Sequence, residues 1–170
     1  MTRSEPVMTI VHATDFSEPA AAAESRAVRL AKVLDADLVY LHVATEAPLY
    51  GETPFAMGDV RGVYESQRRW AQGELQARVD AARAAGVRAR ALLRVGVAHA
   101  EILKAAGEEH AEMVVLGTHG RTGLDRLLLG SVAERVVRLA HCPVLTVRPP
   151  EGEGGQYASQ RAHAARRRDD

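Results

Sequence analysis

The sequence predicts an α/β protein: a five-stranded parallel sheet with helices on both faces, in one domain spanning residues 1–150. Two observations carry this. Short apolar runs alternate along the chain with stretches of helical apolar period, in the order βαβαβαβαβ, and helical crossovers of this kind force parallel strands. The runs are mostly apolar throughout rather than apolar on alternate residues, as expected of strands covered on both sides. At 170 residues the chain has room for one real core.

The first run, Met8-Thr9-Ile10-Val11-His12-Ala13, reads as a buried strand. Thr14-Asp15-Phe16-Ser17 breaks it, with Ser17 placed to cap a helix and Pro19 in its first turn. That helix carries an apolar face of Ala23, Ala27, Leu30, Ala31 and Leu34. Asp35-Ala36-Asp37 turns into a second strand, Leu38–Val43. From Ala44 to about Gly62 the pattern fails, with Pro48, Gly51, Pro54, Gly58 and Gly62 marking a long loop of the kind that is usually functional. A helix follows from about Val63 to Ala85, with Trp70 facing the core or a partner, and Gly86 ends it. Strand three, Val87–Val95, carries Arg88, Arg90 and Arg94, a composition that suits a charged sheet edge. Gly96-Val97-Ala98-His99 leads into a short helix with Ile102, Leu103 and Ala106 inward. Strand four is Glu112–Leu116, the fourth helix runs from Ser131 to about Ala140, and strand five is Pro143–Arg148. Residues 151–170 are glycine-rich, then polar and charged, and read as a disordered tail.

Composition narrows the function classes. Twenty-two basic residues balance twenty-two acidic ones, which argues against a broad nucleic-acid-binding face. The single cysteine, Cys142, excludes an internal disulfide and a Cys-based zinc site, and its place before Pro143 at the start of an apolar strand suits a buried, inert thiol. His12 and His42 lie on adjacent predicted strands without carboxylate or Cys company, so no metal site is expected there. Met1–Pro6 lacks an apolar signal-peptide core and no run approaches membrane-spanning length, so the expected location is the cytoplasm and no membrane partner is expected.

The chemistry concentrates between strand four and helix four. Gly117-Thr118-His119-Gly120-Arg121-Thr122-Gly123 follows the apolar run Met113–Leu116 and continues to Gly130-Ser131, where the helical pattern begins. Glycine lets a backbone approach a ligand closely, and a helix start presents unpaired N–H groups and partial positive charge; together they favour a phosphate. Ligands on parallel sheets sit at the carboxyl ends of strands where the strand order reverses. If strand one is central, flanked by strands two and four, Thr14-Asp15 faces Gly117–Gly120 across one crevice. The stretch lacks both the P-loop and the dinucleotide fingerprint. What it has is Gly117-x-x-Gly120, nine residues, then Gly130-Ser131.

This spacing is the ATP-binding signature of the universal stress protein family, which the chain resembles over about residues 7–148. The resemblance also rests on Val11–Ser17, Leu41-His42-Val43, Val95-Gly96-Val97 and His141–Leu145. It implies a flavodoxin-like (Rossmann-like) three-layer fold with sheet order 3-2-1-4-5, and a homodimer through the last strands, here Val144–Val147. In the ATP-binding branch, Ala13, Asp15 and Val43 would hold the adenosine, Val43 through its backbone. Gly117 would let the chain pass the ribose, Gly120 and Gly130 would let N–H groups converge on the phosphates, and Ser131 would donate its hydroxyl. Thr118, Arg121 and Val132 complete the expected set, with Arg126 and His119 nearby. Magnesium or manganese would enter with the ATP, through phosphates and water. Two structural roles compete with these. Asp15 suits an Asx-type turn closing strand one, and Ser131-x-x-Glu134 is a capping box. The functional expectation is a nucleotide-dependent stress-response or signalling module. A slow ATPase or phosphotransferase and a nucleotide-free partner-binding module are the alternatives; no set of residues has the look of a base positioned for an attacking water.

Overall fold

A computed structural model describes residues 7–45, 57–118 and 129–149. The strands β1 (Thr9–Ala13), β2 (Asp37–Ala44), β3 (Ala89–Val95), β4 (Met113–Gly117) and β5 (Val144–Val147) form one sheet in the order β3-β2-β1-β4-β5, every pairing parallel. The helices are α1 (Glu18–Leu34), α2 (Met57–Ala84), α3 (Ala98–Glu108) and α4 (Ser131–Leu139). The expected sheet order is therefore the observed one. From β1 the chain steps outward to β2 and β3, crosses back through α3 to β4, and ends on β5. Right-handed crossovers in opposite directions put their helices on opposite faces.

The two halves of the core follow that division. On one face Ile10, Leu38, Tyr40 and Val115 pack with Ala23, Ala27 and Ala31 of α1 and with Leu75, Val79 and Ala82 of α2. On the other, Val11, Val39, Leu41, Val114 and Leu116 pack with Ile102, Ala105 and Ala106 of α3 and with Ala133 and Val136 of α4. Successive strand residues point to opposite faces, so strands clad on both sides must be apolar at every position. Leu34 lies outside this packing: it is 44 % exposed, because α1 ends there over the turn and not over the sheet. Asp35 makes that turn in left-handed backbone (φ 49°), and Arg88 clamps it, donating to the Asp35 and Asp37 carboxylates at 2.8 and 2.6 Å. Arg90 and Arg94 pair likewise with Glu109 and Glu108. Strand β3 is the edge its composition suggested, and its arginines also tie it to the α1–β2 turn and the end of α3.

Strand ends differ from expectation by one or two residues, and the largest difference lies before α2. Ala44 belongs to β2, and α2 begins at Met57, so Met57–Gly62 is helix and not loop; residues 46–56 lie outside those described. Glycine costs only about 1 kcal/mol in a helix interior relative to alanine, and α2 is 28 residues long, so Gly58 and Gly62 are absorbed. The expected tail, 151–170, also lies outside the described residues.

His12 is the polar intruder in this core. It is fully buried, its Nδ1–H donates to the Val115 carbonyl at 3.1 Å, and Nε2 has no hydrogen-bond partner among the described residues. Burial pushes its pKa down to about 4, with the Arg78 charge adding to the fall and the Val115 bond opposing it. The folded protein thus keeps His12 neutral where the unfolded chain takes up a proton near pH 6.5. Above that value the group contributes nothing to the pH dependence. Between pH 6.5 and about 4 the unfolded state binds one more proton, and stability falls with falling pH. Urea denaturation is expected to show roughly 2–3 kcal/mol of His12-dependent loss between pH 7 and pH 4.5, and His12→Leu is expected to remove that component of the slope.

Candidate functional site

Strand β1 ends before its neighbours do. Ala13 is paired with Leu41 on one side and Leu116 on the other, and the Thr14 amide donates to the Leu41 carbonyl at 2.9 Å as the last rung. Beyond that rung α1 leaves toward one face and α4 lies on the other, so a crevice opens between them. Its volume is about 430 Å³, within the range of small-molecule sites, roughly 300–1,000 Å³.

Eight of the residues expected from sequence line it: Ala13, Asp15, Val43, Gly117, Thr118, Gly130, Ser131 and Val132. Gly120 and Arg121 lie outside the described residues, as do His119 and Arg126. The facing of Thr14-Asp15 toward Gly117, inferred from a central first strand, is what the sheet order produces. Thr14 lines it as well, and the structure adds Leu41, Thr45, Leu116, Ala98 and Ile102 to the wall. Ile102 had no signal beyond the inward period of α3, which does not say which core residue stands at the mouth, and Ala98, in the lead-in to that helix, had none.

The two ends of the crevice differ in chemistry. Ala13, Leu41, Val43, Ala98, Ile102 and Leu116 make one side apolar. Along that side the backbone of Val43 offers a polar edge. The Leu41 carbonyl bonds the β1 side and the Ala44 carbonyl bonds Gly96 on the β3 side at 3.0 Å. Alternation along the strand therefore turns the Val43 N–H and C=O toward the β1 side, past the end of β1, into the crevice. At the other end α4 begins. Its first backbone bond runs from the Glu134 amide to the Gly130 carbonyl at 2.8 Å, so the amides of Ser131, Val132 and Ala133 have no acceptor within the helix.

One detail of the glycine stretch narrows the expectation and a second departs from it. The Gly130 amide donates to the Thr118 carbonyl at 2.8 Å, while the Thr118 amide donates to Val147 at 3.0 Å. Gly130 therefore pins the two ends of the stretch together and does not offer its own N–H to a phosphate; the donors are those that follow it. The capping box does not form either. Gly130 occupies the N-cap position, in extended backbone (φ −60°, ψ 149°), and Ser131 is the first helical residue, exposed at the crevice. Its hydroxyl makes no capping bond, so the competition between cap and ligand does not arise.

Asp15 shows the turn geometry. Its Oδ1 accepts the Ser17 amide at 3.0 Å and the Ser17 hydroxyl at 2.6 Å. Ser17 stands at the N-cap of α1, but its hydroxyl is turned back to Asp15 and caps nothing. Asp15 thus combines the Asx turn with a place in the crevice wall. Elsewhere Cys142 is partly buried, and burial pushes its thiol pKa up, in keeping with an inert thiol. Among the described residues, no group of three or more His, Cys, Asp or Glu is placed to hold a metal ion, and no helix is long and apolar enough to cross a membrane.

Comparison with known proteins bears on the whole domain. The model of the universal stress protein family matches residues 6–148. A curated relative, universal stress protein MJ0531 of Methanocaldococcus jannaschii, is 38% identical over 144 residues, 85% of this chain and 84% of its own length. Among solved structures, universal stress protein UspA from Lactobacillus plantarum shares the fold with a TM-score of 0.72 at 23% identity, over 83% of this chain and 97% of its own. A universal stress protein solved in complex with cAMP superposes with a TM-score of 0.59 at 26% identity, over 85% of this chain and 98% of its own.

The Asp15 turn makes a direct prediction. Asp15→Ala removes both bonds to Ser17 and is expected to cost roughly 1–2 kcal/mol in chemical denaturation. Asp15→Asn keeps an acceptor in place and is expected to cost less than half of that.

Proposed function

This chain belongs to the universal stress protein family, and from that premise we propose that it binds an adenine nucleotide, ATP first among them, in the crevice beyond β1. The observation that carries this is the meeting, in one cavity, of an apolar slot with a backbone edge and a helix start with unpaired amides. A purine base lies against Ala13, Leu41 and Ile102 and exchanges hydrogen bonds with the N–H and C=O of Val43. Asp15 faces the ribose hydroxyls. The phosphates extend toward Ser131, Val132 and the glycine stretch, whose Gly120 and Arg121 add donors and positive charge. The relative bound to cAMP supports an adenine nucleotide as the ligand class. A divalent ion, magnesium or manganese, accompanies the phosphates and is held chiefly by them and by water.

In this reading the nucleotide is a regulatory ligand of a stress-response or signalling module in the cytoplasm. The folded domain ends near residue 150. Two copies pair through β5, whose residues Val144–Val147 are half-buried at an edge of the sheet.

Mass spectrometry of gently purified protein is expected to find an adenine nucleotide, and calorimetry to measure its binding. Gly130→Val tests the site. The backbone at Gly130 lies in the extended region open to any residue, so the variant is expected to fold, losing about 1 kcal/mol at the cap, while a branched Cβ beside the phosphates weakens binding by at least about tenfold. Wild-type protein that neither carries nor binds an adenine nucleotide would defeat the proposal. Multiple-turnover hydrolysis that vanishes in Gly130→Val would make the protein an ATPase instead.

A further inference from the structure

Phe16 adopts a backbone conformation that its residue type avoids. Its φ is 62°, the left-handed region, where a Cβ crowds the carbonyl that follows and where glycine, Asn or Asp is the usual occupant. A bulky aromatic persists there only when its surroundings hold it. They do so from three sides. The ring stacks on His42 with centroids 4.3 Å apart and planes 27° from parallel. The Trp70 ring packs nearly perpendicular to it, with centroids 5.3 Å apart. The Arg78 guanidinium stands 4.8 Å from its centre, itself held by Glu24 and Glu74 at 3.2 and 2.7 Å.

His42 also acts on the other side of Asp15. Its Nδ1–H donates to the Thr14 carbonyl at 2.8 Å, and the Phe16 amide closes back on the Thr14 hydroxyl at 3.0 Å. One imidazole therefore holds the residue before Asp15 by a hydrogen bond and the residue after it by stacking. Asp15 lies in the crevice wall, whereas neither His42 nor Phe16 does. The ring of Phe16 belongs to the α1/α2 side of the core.

We propose that His42 and Phe16 are positioning residues that aim Asp15 into the crevice, and that they set nucleotide affinity without touching the nucleotide; this rests on the adenine-nucleotide reading above. The left-handed bend at Phe16 makes the chain leave β1 with Asp15 facing the ligand, and the His42–Phe16–Trp70–Arg78 stack keeps that bend from relaxing. The Ser17 bonds shape the Asp15 carboxylate locally, but the orientation of the whole turn comes from β2 and α2.

The test compares His42→Ala, His42→Asn, Phe16→Ala and the control Val87→Ala, a core change on the same face at the amino end of the strands, opposite the turn. Calorimetric titration with ATP is expected to show affinity falling about tenfold in His42→Ala and Phe16→Ala, the loss of roughly one well-placed hydrogen bond. His42→Asn, whose side-chain amide can donate to the Thr14 carbonyl, is expected to recover to within about threefold of wild type. Val87→Ala is expected to lose stability and keep its affinity. Amide exchange supplies an arm free of nucleotide: in His42→Ala the Phe16 and Ser17 amides are expected to exchange at least about tenfold faster, while those of Val114 and Val115 in β4 do not change. Unchanged affinity in both alanine variants, an asparagine variant no better than alanine, or exchange that rises equally in β4 would each overturn the proposal. If the wild type binds no adenine nucleotide, the functional reading has failed, and exchange at Phe16 and Ser17 alone decides whether His42 positions the turn.

Discussion

The last rung of the β1–β2 ladder, from the Thr14 amide to the Leu41 carbonyl, is where the sheet stops and the site begins. Strand β1 is central, so both of its neighbours extend past it, and the chain has to leave the sheet between them. The helix after β1 returns to one side and the helix after β4 crosses on the other, because right-handed crossovers made in opposite directions cannot share a face. The space between the two departures has to stay open. Every group in the candidate site is placed by that constraint: Asp15 by the exit from β1, the Val43 edge by β2 outrunning β1, and the α4 amides by the exit from β4.

How the polar groups near the crevice are satisfied decides which remain available to a ligand. The Thr118 amide donates to β5 and the Gly130 amide to the Thr118 carbonyl, so neither of these two N–H groups is left for a ligand. The amides of Ser131 to Ala133 follow immediately and lack intrahelical acceptors. The Ser17 hydroxyl is turned to Asp15, and Ser131, one residue inside α4, caps nothing. The same accounting applies to His12 on the far face, where a single carbonyl satisfies one ring nitrogen and a proton on the other would have no acceptor. Native structure keeps that imidazole neutral, and the cost of charging it links the stability of the fold to acidity.

Much of the fold was legible from local pattern. The buried strands had to be apolar at adjacent positions such as Ile10 and Val11 or Leu38 and Val39, and they are. The start of α4 at Ser131 and the edge position of β3 followed from composition and period. The start of α2 did not, because Gly58 and Gly62 look like breakers in sequence although a long helix tolerates them. Leu34 matched the apolar period of α1 but extends past the sheet it would have packed on. Period reports which face of an element is apolar, and it does not report where the opposing surface ends.

Residue type and spacing alone carried the chemistry that could gather in this protein: the glycine spacing from Gly117 to Gly130-Ser131, the carboxylate at Asp15, and a strand order implied by family resemblance and allowed by the crossovers. Those are properties of residue type and spacing, which a chain carries wherever it folds. How each hydrogen-bonding group is used was set by packing in three dimensions. It assigned the Gly130 amide to Thr118, released Ser131 from a capping role, turned the Val43 backbone into the crevice, and set His42 beneath Thr14 and Phe16. These assignments join residues far apart in the chain, such as Thr14 with His42 and His12 with Val115, and no local pattern encodes a partner that only the packing of the sheet brings within reach.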